Sequence, residues 1–324
     1  MSEKRGVLVG VIDKKGRTRN VCFVTNDGGE NWTEVKLKDT PVSLFFLNDS
    51  IGWMVTRKDL YVTEESGLTW KKIKAPNELL KVYFRDPMNG WGVGLEKNVW
   101  RTTNGGHDWE PVPEAEKPQS DENRTVYAWI AFADENIGMI GGWNVPRRPQ
   151  PRVPAWMDPA SARRRYQIPQ LSLILETKNG GESWNPTTAS IFGQITQMKL
   201  SKEGWGVGLI TFKDTFEWPS EVHLISLKSG GSSRVYREKD RRITDIAVGA
   251  PPGPIYLGGV EQLGPVFDSP IPSKVKILVS RNGKDYREME VDYRAVARNV
   301  LLSAVSPIHV WAATDTGMVL KLEQ

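Results

Sequence analysis

An eight-residue turn that recurs in one frame constrains this chain more than any other feature. Thr25-Asn-Asp-Gly-Gly-Glu-Asn-Trp32 returns as Thr63-Glu-Glu-Ser-Gly-Leu-Thr-Trp70, Thr102-Thr-Asn-Gly-Gly-His-Asp-Trp109 and Thr177-Lys-Asn-Gly-Gly-Glu-Ser-Trp184. Weaker copies stand at Lys228-Ser-Gly-Gly-Ser-Ser-Arg234 and Ser280-Arg-Asn-Gly-Lys-Asp-Tyr286. Self-similarity of this kind marks a repeat architecture, in which each unit covers the apolar face of its neighbour. Thr ends one strand, Asp or Asn can bond backbone amides downstream, Gly serves where φ must be positive, and Trp folds back as an anchor. Beta-branched and aromatic runs flank each copy, so each reads as a hairpin turn between antiparallel strands. Asp27, Gly29 and Trp32, with Gly67 and Trp70, Asn104, Gly106 and Trp109, and Asn179, Gly181 and Trp184, are therefore expected to be structural locks rather than catalysts.

A longer unit surrounds each turn. Leu80–Phe84, the strand from Trp91, Val99–Thr102 and the strand after Trp109 make four short strands, A to D, with Asp86-Pro-Met-Asn-Gly90 as the A–B turn. The preceding unit matches it: Val42–Leu47, Gly52–Val55, Asp59–Val62 and Trp70–Ile73. Later units begin at Ala128, Ile195 and Ile243, and Val300–Ala304, His309–Ala313 and Met318–Leu322 give three strands at the C-terminus. Three more stand at the N-terminus, where Val7–Ile12 reads as the first strand and no A strand is evident. Four-stranded units about 40 residues apart are propeller blades. The expectation is an all-β chain, residues 1–324 forming one seven-bladed β-propeller of four-stranded antiparallel blades. Six blades is the alternative, in which the two incomplete ends share one blade.

The Thr-x-Asp/Asn-x-Gly-x-x-Trp frame resembles the Asp-box, or BNR repeat, of sialidases, sortilin-type receptors and xyloglucanases. Gly90-Trp-Gly-Val-Gly94 followed by Val99-Trp-Arg-Thr102 and the box is more similar still to the photosystem II stability and assembly-factor-like family. That resemblance covers about residues 5–235 clearly and the rest weakly. It implies a propeller that acts as a chaperone or assembly scaffold, holding a partner polypeptide through an arginine-rich patch. This chain departs from the family in showing no export or lipoprotein signal.

Composition narrows the chemistry. One cysteine, Cys22, excludes an intramolecular disulfide and any multi-cysteine metal site, and its apolar setting, Val21-Cys-Phe-Val24, reads as core. His107, His223 and His309 lack metal-site spacing, and no phosphate-cradling loop or nucleophile elbow is present, so neither metal nor cofactor is expected. No run approaches the roughly 18 apolar residues needed to cross a bilayer. As it stands the sequence reads as cytoplasmic, with an exported or periplasmic location the alternative if a leader has been removed.

The insertion that breaks the repeat sets the site expectation. Residues 144–170, between strands B and C of the fourth unit, hold Arg147, Arg148, Arg152, Arg163, Arg164 and Arg165 against one acid, Asp158. The net charge of the whole chain is only +4, so the basic character is local. Asp158 as N-cap and Pro159 at N1 signal a short helix there. The B–C loops of the next two units, Thr211–Pro219 and Val260–Pro270, are also long. Three enlarged loops from consecutive blades should adjoin on the rim opposite the repeated turns. Arginines recognise carboxylates bidentately, and Trp156, Phe216 and Trp218 supply anchors. The expected partner is a protein or polypeptide with acidic or carboxylate groups, bound by a monomer. Nucleic acid is disfavoured, since no recognition helix or interleaved aromatic pattern is present.

The enzymatic alternative is a sialidase-like or other glycoside hydrolase, which needs paired carboxylates. Glu203, Asp214, Glu217 and Glu261 are its candidates on the loop face. The Arg-Ile-Pro segment of sialidases is missing, and Arg163–Arg165 are consecutive rather than gathered from separate blades.

Overall fold

The structure, a computed structural model, describes residues 2–14, 16–145, 168–212, 217–249, 253–261 and 271–322. Seven antiparallel sheets follow one another along the chain as the blades of a propeller. Blade 1 holds β1 (Gly6–Lys14), β2 (Arg17–Thr25) and β3 (Thr33–Lys36), and blade 2 holds β4 (Pro41–Phe46), β5 (Gly52–Thr56), β6 (Leu60–Thr63) and β7 (Lys71–Ile73). Blade 3 is β8 (Leu79–Phe84), β9 (Gly90–Gly94), β10 (Val99–Thr102) and β11 (Glu110–Pro111). Blade 4 is β12 (Thr125–Phe132), β13 (Gly138–Asn144), β14 (Gln170–Thr177) and β15 (Asn185–Ile191). Blade 5 is β16 (Gln194–Ser201), β17 (Trp205–Thr211), β18 (Ser220–Ser226) and β19 (Ser232–Arg237). Blade 6 is β20 (Arg241–Val248), β21 (Ile255–Glu261), β22 (Ser273–Ser280) and β23 (Arg287–Met289), with β24 (Val296–Ala297) also paired to β22. Blade 7 is β25 (Val300–Ser306), β26 (His309–Thr314) and β27 (Val319–Leu322).

The six-bladed alternative is thereby corrected. The two incomplete ends stay as separate three-stranded sheets, because β1 pairs with β2 along its whole length while β25 to β27 pair among themselves. No strand is exchanged between them among the described residues.

The cores lie between blades, as blades that each bury two faces require. Trp53, Val55 and Leu60 of blade 2 pack with Leu79, Val82, Phe84 and Trp100 of blade 3. Trp53 and Phe84 stack with ring centroids 3.6 Å apart. Fully burying a side chain such as Phe84 contributes about 1.5–3 kcal/mol.

The repeated turns lock these interfaces. The hydroxyls of Thr25, Thr63, Thr102 and Thr177 accept bonds from the amides of Gly29, Gly67, Gly106 and Gly181 at 2.8, 2.9, 3.0 and 2.8 Å. Asp27, Asn104 and Asn179 accept the amides of Asn31, Asp108 and Ser183 through Oδ1. Gly181 has φ +83°, and a Cβ there would stand 2.4 Å from the Trp91 ring of blade 3. Trp53 Nε1 likewise donates to the Gly105 carbonyl at 3.0 Å. The Gly-Trp strand of one blade thus seats the turn of the next.

The inner strands add a second set of links. In blades 2 to 6 each carries a register shift after its first residues, at Pro41/Ser43, Leu79/Lys81, Tyr127/Trp129, Ile195/Gln197 and Ile243/Asp245. In blades 2, 4, 5 and 6 the side chain after the shift reaches the next inner strand. Ser43 Oγ donates to the Leu80 carbonyl, Trp129 Nε1 to that of Ile195 and Gln197 Nε2 to that of Thr244, while Asp245 Oδ2 accepts the Leu302 amide. A bulge leaves backbone groups without ladder partners, and at the skipped residues Leu80 and Thr244 these side chains supply them.

Candidate partner-binding face

An antiparallel meander puts its A–B and C–D connections on one rim and its B–C and D–A connections on the other. Hydrogen bonds show this directly. The turn amides of Ser66, Gly105 and Gly180 donate to the A–B carbonyls of Ser50, Met88 and Asn136 at 3.0, 2.8 and 2.9 Å. The stems of the long loops emerge on the opposite rim. There Gln194 Nε2 of blade 5 donates to Gln170 Oε1 of blade 4 at 2.8 Å, and the Ile243 amide of blade 6 to Ser220 Oγ of blade 5 at 2.9 Å.

Of the site residues expected from the sequence, Arg147, Arg148, Arg152, Trp156, Arg163, Arg164, Arg165 and Phe216 lie outside the described residues. Trp218 is described, and its surroundings define the site that can be built. Arg237, at the end of β19, stacks its guanidinium 3.9 Å from the Trp218 ring centroid, and Lys239 stands 5.4 Å from it. Cations over a tryptophan face are held by the ring quadrupole. Lys239 also pairs with Glu217.

Glu221 on β18 anchors the cluster from beneath. It accepts from Arg237 at 2.9 Å and His223 at 3.0 Å, with Arg234 at 3.7 Å. Burial alone would raise its carboxyl pKa, but the bonds from His223 and Arg237 and the surrounding cations prevail and hold it below its ordinary value. The result is a cation-flanked indole whose charge is set in place by a half-buried acid.

Blade 6 continues the basic rim, with its cations engaged. Lys276 bonds Glu261 at 3.0 Å and also Glu288, which Arg241 meets at 3.2 Å. Arg242 Nη2 donates to the Arg298 carbonyl at 2.7 Å, and Arg298 pairs with Asp315. These ion pairs fix the edge of the face.

Glu203 does not join the other carboxylates proposed for hydrolysis. Glu203 belongs to the A–B loop of blade 5, on the rim of the repeated turns, where it accepts from Trp205 Nε1. Glu217 and Glu261 are each tied to a lysine, and Asp214 lies outside the described residues. Among the described residues no group of three or more His, Cys, Asp or Glu is placed to hold a metal, and no helix is long and apolar enough to cross a membrane.

Sequence reasoning missed Arg237, the last residue of strand D, and Lys239 just after it, neither of which lies in an insertion. It also missed three charges on inner strands, Lys81, Lys199 and Asp245. Desolvation, then repulsion from Lys199, holds the Lys81 ammonium below the ordinary lysine range, and Asp245 opposes this. A signal was present: a charge within three of the inner runs, as in Leu79-Leu-Lys-Val-Tyr-Phe84.

No family model and no curated protein matches the chain. Among solved structures it is similar to YCF48 bound to a D1 peptide, at 15% identity and a TM-score of 0.65, over 100% of this chain and 91% of that one. It is similar to YCF48 from Cyanidioschyzon merolae at 14% identity and a TM-score of 0.61, over 100% and 97%. The β-propeller domain of the Trilobed protease from Pyrococcus furiosus, which has an open velcro topology, matches at 11% identity and a TM-score of 0.59, over 100% and 96%. Identities this low show a shared fold.

Proposed function

We propose that this protein is a polypeptide-binding platform without enzymatic activity, a scaffold of the assembly-factor kind built on Asp-box turns. It grips acidic or carboxylate-bearing segments on the rim of the long loops. The observation that carries this reading is Trp218 flanked by Arg237 and Lys239 at the foot of those loops. An aromatic anchor beside a bidentate cation is the chemistry that holds a carboxylate-bearing chain. YCF48, to which the fold is similar, has been solved with a peptide bound, which supports a polypeptide as the ligand. Arg147, Arg148, Arg152, Trp156, Arg163, Arg164, Arg165 and Phe216 extend the same surface in this reading.

The test is anisotropy of a fluorescein-labelled decapeptide rich in Asp and Glu. Trp218→Ala, and separately Arg163, Arg164 and Arg165→Ala, should each weaken binding about tenfold, the loss of about 1.4 kcal/mol. Binding should also fall as salt rises. Equal affinity in folded variants would remove this face from the account. Saturable hydrolysis of a glycan abolished by Glu217→Gln would favour the hydrolase instead.

A further inference from the structure

Six blades line the axis of the ring with an inner strand: β4, β8, β12, β16, β20 and β25. Blade 1 differs. Gly6-Val7 stands in register with Gly52-Trp53 and Gly90-Trp91, and Val7 packs on Gly67 of the next turn as Trp91 packs on Gly181. β1 is therefore the second strand of its blade, and among the described residues it pairs with β2 alone. The Lys14–Arg17 pair leaves two residues in the turn, which makes the even residues of β1 the ones bonded to β2. Val7, Val9 and Val11 aim their N–H and C=O groups at the open edge.

Side chains show what belongs there. Phe46, Phe84 and Phe132 each end an inner strand, lie 2.6 Å from a Cβ built on Gly52, Gly90 and Gly138, and meet Trp70, Trp109 and Trp184 edge-on. Gly6 and Trp32 hold the same two places in blade 1, and no phenylalanine reaches either among the described residues.

At the other end, Gly94, Gly142 and Gly259 face the residue before the inner-strand bulge. A Cβ on them would stand 2.2, 1.8 and 2.4 Å from the carbonyls of Glu78, Val126 and Arg242. Gly10 stands at the same place, yet a Cβ there meets nothing within 4 Å. Glycine in mid-strand weakens it, and no described neighbour requires this one. The walls are apolar: Val11 is 48% exposed, and Leu301 of blade 7 is 60% exposed. Leu302 packs on Gly258 of blade 6, so Leu301 faces blade 1.

We propose that β1 is an acceptor edge, to which an extended segment of a partner polypeptide adds as the fourth strand of blade 1. The segment is about six residues long, like β4 and β8, apolar on both faces, bulged near its start and ended by a phenylalanine that seats on Gly6 and Trp32. Main-chain bonds to Val7, Val9 and Val11 hold it, and the two glycines select it. This site lies apart from the long-loop rim and does not rest on the function proposed for that rim.

The probe is a fluorescein-labelled octapeptide of the sequence of residues 78–85, titrated by anisotropy against the full chain. Saturable one-to-one binding is expected. It should weaken at least tenfold when the peptide's phenylalanine is replaced by alanine, or when its edge-facing amides are N-methylated. Gly10→Val should fold with unchanged or higher Tm, because its Cβ meets open space, yet lose the peptide at least tenfold. Trp218→Ala should leave this peptide's affinity unchanged, which separates failure here from failure of the loop-face reading.

No saturable binding, equal binding of the N-methylated peptide, or full affinity in Gly10→Val would each overturn the proposal. Dimerisation abolished by Gly10→Val would assign the edge to a second copy instead and would overturn a partner strand. Protein taken from its own source with β1 already protected from amide exchange, and an intact mass above that of residues 1–324, would overturn a strand supplied in trans.

Discussion

Asp27 is at the surface, yet its carboxyl is held at about 2, first by the backbone amide of Asn31 and then by the side chains of Asn31 and Thr25. The turn uses both of its oxygens, because Asn31 Nδ2 donates to Oδ2 as well. A carboxylate whose folded pKa is depressed contributes stability that is in place above the ordinary value near 4 and is lost as pH falls toward 2. Asn104 and Asn179 do the same structural work with an amide that does not titrate. Asp27→Asn is therefore expected to keep the turn and the neutral-pH Tm, and to flatten the dependence of Tm on pH between about 4 and 2. A pH series of thermal melts checks it, and an unchanged acid slope would deny the turn this role. Asp292, held at about 2 by Arg294, remains to supply its own acid slope in the variant.

Links between inner strands carry stability at the scale of the element, and Asp245 is the sharpest case. It is 9% exposed, accepts the Leu302 amide of blade 7 at 2.6 Å and its neighbour Ile246 at 2.9 Å. Burial pushes its carboxyl above the ordinary range, against Lys199 and these bonds. Asp245→Ala is expected to cost about 1–3 kcal/mol, the penalty of leaving a buried amide unpaired. Asp245→Asn keeps an acceptor and should cost less. Its deficit should also shrink as pH rises from 4, since a carboxyl with a raised pKa loses stability over that range and an amide does not. Denaturant midpoints of both variants across pH decide this. Strands like these were legible because each turn fixed its two flanking strands. Their bulges were not: a one-residue shift exchanges the two faces, but Leu79–Phe84 is apolar at every position except Lys81, so no break in alternation marks it. The rim of the long loops was legible from blade order alone. Glu203 was misplaced because Ser201–Gly204, an A–B turn, stands close in sequence to a B–C loop on the other rim.

Closure of the ring belongs to the whole molecule, and here the sequence left six and seven blades open because three strands at each end fit either count. What decides it is that side chains, not a shared strand, join blades 1 and 7. Trp311 lies over Gly29, where a Cβ would stand 2.1 Å from its ring, and meets Trp32 edge-on at 6.1 Å. His309 Nδ1 and Glu3 approach to 2.8 Å. Blades 2 and 3, and blades 4 to 7 in turn, are joined by both an inner-strand link and a buried core, and blades 3 and 4 by a buried core, whereas this interface faces the open edge of β1. Local opening follows the thinnest set of contacts. Amide exchange should therefore be fastest, among strand amides, in β1 to β3 and β25 to β27, and slowest in β8 to β14, where the Trp91, Tyr127 and Leu173 core lies. Trp311→Ala should raise exchange in both end blades together and leave blades 3 and 4 unchanged. Exchange rising in all seven blades at once would mean that the ring opens as a single cooperative unit, and that its seam is no weaker than its other joints.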